Sequence, residues 1–167
     1  MKQNNIDILF LDGFFSGIES SSFLGFIFPL GAFLKKYNYS YKILNMQLLP
    51  DYTIDCPVAE LRKLNVKTIG ISTHADNIKF VYDVVNGIKA NLPNIPVILG
   101  GAQATFNGTK IMNLCRADVI VRNEGEKKPV QVLDVFIHGA RDLSYIEGVT
   151  YRNKNDVIVN KSPPKII

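Results

Sequence analysis

The sequence predicts a doubly wound α/β fold, a mostly parallel sheet with helices on both faces. Three observations carry that expectation. Short apolar runs alternate along the chain with stretches whose apolar residues recur every three or four positions, each run ends in glycine or polar residues, and two short strands around Asn153-Lys154-Asn155 close the order. A strand buried on both faces has no need to alternate polar with apolar residues, so continuous apolar runs mark a parallel sheet. The amphipathic stretches between them supply the right-handed crossovers.

The first strand is IDILFL, 6–11, ended by Asp12-Gly13. The loop DGFFSGIESSS, 12–22, leads into a helix on which Leu24, Ile27, Phe28, Gly31 and Leu34 fall at helical spacing. Pro29 either kinks this helix or sits in its first turn. Its phenylalanines are expected to face the sheet. Tyr41 to Leu44 is a second strand, 58–65 a short helix, and TIGIS, 68–72, a third strand. Ile78, Val81, Tyr82, Val85, Ile88 and Leu92 mark an amphipathic helix with Asp76 as N-cap, closed by Pro93. PVILGG follows as a fourth strand, then a helical turn or two around 108–115, then DVIV, 118–121, as a fifth. A helix from about Glu126 to His138 carries Pro129 in its first turn. GVTYR and DVIVN then form a hairpin. The predicted architecture is thus Rossmann-like or flavodoxin-like: a five-stranded sheet in a domain of residues 1–140, an appended hairpin of the same domain over 141–160, and the start of a linker at 161–167.

At 167 residues, 47% hydrophobic and 20% charged, the chain suits one globular domain. A net charge of +4 with scattered lysines offers no concentrated basic face, so nucleic acid is not an expected partner. The apolar stretch Phe23 to Leu34 is interrupted by Gly25, Pro29 and Gly31 and is too short to span a bilayer. The N-terminus also lacks the order of a signal peptide, so no membrane partner and a cytoplasmic location are expected. Cys56 and Cys115 lie far apart and near no histidine pair, which argues against a zinc or iron-sulfur site in this chain.

Open parallel sheets bind ligands at the carboxyl ends of their strands. The loops there are 12–17 (DGFFSG), 72–76 (STHAD), 100–105 (GGAQAT) and 122–126 (RNEGE). Gly100-Gly101 either brings bare backbone against a ligand or makes a tight strand-to-helix turn, with Ala102, Gln103 and Ala104 keeping that surface low. Ser72 and Thr73 either donate hydrogen bonds into the crevice or cap the next helix. Glu124, Gly125 and Glu126 lie where a helix begins; the acids suit its dipole and repel phosphate, which weighs against a nucleotide. His74 is a candidate axial ligand or proton carrier, or is merely solvated, and His138 suits a helix C-terminus. No serine, cysteine or carboxylate pair has catalytic spacing, so neither catalytic residues nor a protein metal site is expected.

FPLGAFLKKYNYSYKILN, TIGIST, IPVILGGAQATF, ADVIVRNEGE and IEGVTYR, in that order and spacing, resemble the N-terminal cobalamin-binding domain of cobalamin-dependent radical S-adenosylmethionine enzymes. The resemblance covers nearly the whole chain, and GGxxAT together with RxEGE is more specific than either alone. It implies a cobalamin lying across the carboxyl edge, with its nucleotide tail among the loops. Asp12, Gly13, Ser72, Thr73, His74, Gly100, Gly101, Ala102, Gln103, Ala104 and Thr105 would hold it, bordered by Glu124, Gly125 and Glu126. The pattern DxHxxG, whose histidine binds cobalt, is replaced by DGFFSG, which implies a tail-displaced cofactor without a histidine ligand from that loop and leaves His74 or water as the lower ligand. The family's CxxxCxxC is absent, so S-adenosylmethionine and the four-iron cluster are expected in a C-terminal domain beyond this chain. The chain then reads as a binding module of a methyltransferase-like enzyme, with Pro163-Pro164 beginning the linker. The alternatives are a flavin- or nucleotide-binding domain and a ligand-free interaction domain of the same architecture. A bulky residue at Gly101 is expected to separate corrinoid binding from the last of these.

Overall fold

The computed structural model describes residues 5–12, 24–46, 55–123, 127–140, 142–154 and 156–160. Apolar runs become strands β1 (Ile6–Asp12), β2 (Tyr41–Asn45), β3 (Val66–Ser72), β4 (Val97–Gly100) and β5 (Val119–Val121). The amphipathic stretches become α1 (Leu24–Lys36), α2 (Asp55–Lys63), α3 (Ile78–Asn91), α4 (Ala102–Leu114) and α5 (Lys127–His138). A 3-10 turn, Leu143–Tyr145, precedes β6 (Val149–Asn153) and β7 (Asp156–Val159).

The strands lie in the order β2-β1-β3-β4-β5-β6-β7. The first five are parallel, and β6 and β7 each run antiparallel to the preceding strand. The expected five-stranded sheet is therefore corrected to seven strands. The hairpin does not stand beside the sheet: Val149–Tyr151 pairs along the free edge of β5, where unpaired N–H and C=O groups would otherwise face solvent.

Side-chain alternation divides the core in two. Leu9, Leu11, Ile69, Ile71, Val97, Leu99 and Ile120 face α2, α3 and α4. Ile8, Phe10, Ile98, Val119 and Val121 face α1 and α5. Ile69 and Leu99 are 0% exposed, and each such side chain stabilises the fold by roughly 1.5–3 kcal/mol.

Local departures from expectation have local causes. Pro29 lies inside α1 and not in its first turn. Phe28 is 57% exposed, so this phenylalanine does not face the sheet; buried Ile27 and Leu34 do. Asn77, not Asp76, stands at the N-cap of α3, and its side chain makes no cap bond because it is used elsewhere. α4 runs thirteen residues, well beyond a turn or two, and its helical period is hidden because Ala104 and Gly108 supply part of the buried face and Asn107 (φ −121°, ψ 21°) interrupts it.

The amino edge of the sheet is tied by polar groups. Lys89, 8% exposed, donates from Nζ to the carbonyl of Pro93 at 2.8 Å and pairs with Asp118 at 3.0 Å; Asp118 in turn accepts from the Val97 N–H at 2.7 Å. The Tyr39 hydroxyl donates to Asp134 of α5, and its ring meets that of His138 at 5.7 Å. Burial first, and then the Asp134 contact, push the Tyr39 phenol upward. Asp7 accepts from Lys67 Nζ and from the N–H and hydroxyl of Ser40, each at 2.8 Å. Burial works to raise the Asp7 carboxyl, but these donors outweigh it and hold it below its usual value.

A carboxyl depressed in the folded state contributes stability above its unfolded pKa of about 3.9 and loses it as pH falls through the lower folded value. Urea unfolding at a series of pH values is therefore expected to show the wild type losing more stability below about pH 4 than Asp7→Asn does. Thr150 is 0% exposed and its Oγ1 has no hydrogen-bond partner among the described residues. Thr150→Val removes that unpaid desolvation and is expected to raise the unfolding free energy by about 1 kcal/mol.

Candidate functional site

β1, β3, β4 and β5 end along one edge, and their last side chains toward α1 and α5 form a row. Alternation places Asp12, Ser72, Gly100 and Val121 in it, with Ser72 directly opposite Gly100 and Asp12 opposite Asn45. In the row beneath, Phe10 lies opposite Gly70 and Gly70 opposite Ile98. That lower row is filled: a Cβ on Gly70 would come within 2.8 Å of the Phe10 ring. Among the described residues the upper row is open at its centre, since a Cβ on Gly100 would meet none of their atoms within 4 Å.

The two adjacent glycines do different work. Gly101 has φ +93°, and a Cβ there would lie 2.6 Å from Ser72 Oγ and 2.7 Å from the Thr73 carbonyl. It is required by the turn, whereas Gly100 leaves space. The tight-turn reading of the pair holds for Gly101, while at Gly100 nothing among the described residues demands a glycine. A bulky residue at Gly101 would break the turn whatever the ligand, so Gly100 is the position that separates binding from folding.

Thr73 locks this turn. Its N–H and its hydroxyl both donate to the Gly100 carbonyl at 2.8 Å, its carbonyl accepts from Gln103 N–H at 3.1 Å, and its Oγ1 accepts from Ala104 N–H at 2.7 Å. It caps α4, the helix after the neighbouring strand, and not the helix that follows it in sequence. Thr73 and Ala104 are 0% exposed and support the rim from behind.

Ser72 Oγ lies 3.2 Å from His74 Nε2, a serine-histidine contact that residue spacing alone does not predict. Asn77 folds the loop around it: its Oδ1 accepts from His74 N–H at 2.8 Å and its Nδ2 donates to the Ser72 carbonyl at 3.1 Å. Sequence reasoning missed Asn77, although an amide side chain just before an amphipathic run is the signal of such a turn. Ala102 is exposed at the start of α4, and the Gln103 carbonyl Oε1 accepts from Asn107 at 2.7 Å. The Thr105 hydroxyl donates to the Gly101 carbonyl at 3.1 Å and accepts from Asn123 N–H at 2.9 Å. Asp12 is 8% exposed, and burial raises its carboxyl above the usual range. Gly13, Glu124, Gly125 and Glu126 lie outside the described residues.

Among the described residues no three His, Cys, Asp or Glu side chains converge to hold a metal ion, and no helix is long and apolar enough to cross a membrane. Among the described residues the edge offers backbone, hydroxyls, an amide and one poorly solvated carboxyl, and none of them places an atom within 4 Å of a Cβ on Gly100. That donor set suits a broad ligand packed against main chain, and the space over Gly100 is a cradle that any larger residue would enter.

A family model described as B12 binding domain matches residues 27–133. A search of curated protein sequences gives no match. Among solved structures, the chain resembles a radical S-adenosylmethionine methyltransferase, TsrM from Kitasatospora setae with cobalamin and a 4Fe-4S cluster bound, with a TM-score of 0.80 at 12% identity over 97% of this chain and 30% of that one. It also resembles the cobalamin-dependent S-adenosylmethionine radical enzyme OxsB with aqua-cobalamin bound, with a TM-score of 0.74 at 17% identity over 96% of this chain and 23% of that one. A CheY-like protein, tadZ from Pseudomonas aeruginosa PAO1, follows with a TM-score of 0.58 at 12% identity over 80% of this chain and 99% of that one. At these identities the likenesses establish the fold, and the chain spans less than a third of the length of the two enzymes. The match runs from α1 into α5 and encloses the open row at Gly100: the chain belongs to the B12 binding domain family.

Proposed function

We propose that this chain is the cobalamin-binding module of a radical S-adenosylmethionine enzyme, holding a corrinoid across the carboxyl edge of its sheet. The observation that carries the reading is the clear space at Gly100, where no atom of the described residues lies within 4 Å of a Cβ, beside a turn that is otherwise firmly supported. When bound, the corrinoid supplies a cobalt centre able to carry a methyl group or exchange an electron. The chain's own residues bind and orient. Gly100 presents main chain between Ser72 and Val121, Asp12 stands beyond Ser72 in the same row, and Ala102, Gln103 and Thr105 offer the first turn of α4. Gly101, Thr73 and Ala104 hold that turn in place, and His74 fixes the Ser72 hydroxyl. By resemblance we assign Gly13, Glu124, Gly125 and Glu126 to the remainder of the rim.

S-adenosylmethionine and the iron-sulfur cluster belong, in this reading, to a domain beyond a linker that begins at Pro163-Pro164. Such a cluster needs reducing conditions, which supports a cytoplasmic location. A flavin or nucleotide reading draws support only from the shared architecture.

Gel filtration after mixing with aquacobalamin tests the proposal. Protein and visible-region corrinoid absorbance are expected to elute together, and folded protein that emerges colourless under both oxidising and reducing conditions overturns it. Gly100→Phe is expected to weaken binding by at least about tenfold while the melting temperature stays close to the wild type, because its side chain enters open space. Gly101→Phe is expected to lower the melting temperature itself.

A further inference from the structure

The carboxyl edge also receives the end of β7. Because β6 is antiparallel to β5 and β7 antiparallel to β6, β7 runs parallel to β5 and delivers the chain to the edge where Gly100 and Ser72 lie. Without the hairpin, the chain would leave α5 near Tyr39 and the amino edge.

The delivery point is Asn160, and it is held by three separate segments. Its N–H donates to the Val149 carbonyl at 2.9 Å. Its Nδ2 donates to the carbonyls of Leu143 at 2.7 Å and Ile146 at 2.8 Å. Its own carbonyl accepts from Arg122 Nη2, which also reaches the Val149 carbonyl at 3.5 Å.

Arg122 stands directly after β5, and its N–H donates to the Gly148 carbonyl at 2.9 Å. Among the described residues its guanidinium forms no ion pair and its buried Nε has no hydrogen-bond partner, and burial lowers its pKa. The residue as a whole is partly buried, and taking its Nε out of water contributes nothing to fold stability by itself. What the placement achieves is geometric: one guanidinium nitrogen bridges the carbonyl of the first residue of β6 and the carbonyl of the residue just past β7. The next residue continues the connection to the rim, since Asn123 N–H donates to Thr105 Oγ1 and that hydroxyl donates to Gly101. Hydrogen bonds and one stretch of main chain thus link the glycine turn to the exit of the chain.

We infer that Arg122 is a positioning residue that latches the chain's exit at Asn160 to the ligand rim, so that a domain attached beyond Asn160 is set over the ligand. The latch itself is independent of the proposed function; its purpose rests on that reading.

Hydrogen exchange on the 167-residue chain tests it in two arms. Without corrinoid, Arg122→Met is expected to accelerate exchange over 157–160 by about tenfold while Val97–Gly100 is unchanged. Equal rates over 157–160 overturn the latch whether or not corrinoid binds, and acceleration in both segments overturns it by showing a general loss of structure. With aquacobalamin bound to the wild type, exchange is expected to slow over both 100–105 and 157–160. In Arg122→Met only the slowing over 100–105 is expected to remain. Slowing over 157–160 in both proteins, or in neither, overturns the coupling. Failure of the wild type to bind corrinoid overturns the proposed function and the latch's purpose, and leaves the latch to be decided by the first arm.

Discussion

The hydrogen-bonded lock between Thr73 and the Gly100–Ala104 turn is the constraint on which the carboxyl edge depends. A threonine at the end of one strand satisfies the last carbonyl of the next and two amides at the start of the helix beyond it. The helix therefore begins immediately after a single residue of positive φ, with its first N–H groups already satisfied. Because the lock is buried, the turn keeps its shape with no contribution from a ligand, and the neighbouring Gly100 can remain bare.

The two ends of the sheet divide their tasks. At the amino edge, charged and polar side chains close on one another: Lys89 with Asp118, Asp7 with Lys67 and Ser40, Tyr39 with Asp134. These contacts fasten α1 to α5 and α3 to β5 at one end. The carboxyl edge needs less bracing from its own side chains and can present hydroxyls and main chain. The same division explains the rows on the α1 and α5 face, where the Phe10 ring fills the notch at Gly70 and the row above it is left low.

The hairpin adds to this logic. As two extra strands it covers the edge of β5, which a parallel sheet would leave open. As a change of direction it returns the chain to the carboxyl edge, where Asn160 is pinned by the residue that follows β5. A short strand pair thereby serves stability and geometry together.

The sequence by itself determined the order and type of the main strands and helices, since continuous apolar runs and a period near 3.6 report burial directly. It also pointed to the family, through the resemblance carried by GGAQAT and RNEGE together, and parallel topology directed attention to the carboxyl edge. It did not reveal that Gly100 is the open glycine and Gly101 the structural one, because two identical residues differ only in what surrounds them. Nor did it reveal α4's true length, Thr73's cap of a helix that begins more than twenty residues later, or that the appended hairpin pairs with β5 to extend the sheet to seven strands. Those features are pairings between residues distant in the chain, and only tertiary structure decided them, because hydrogen-bond partners and free space are properties of packed neighbours and leave no local period to read.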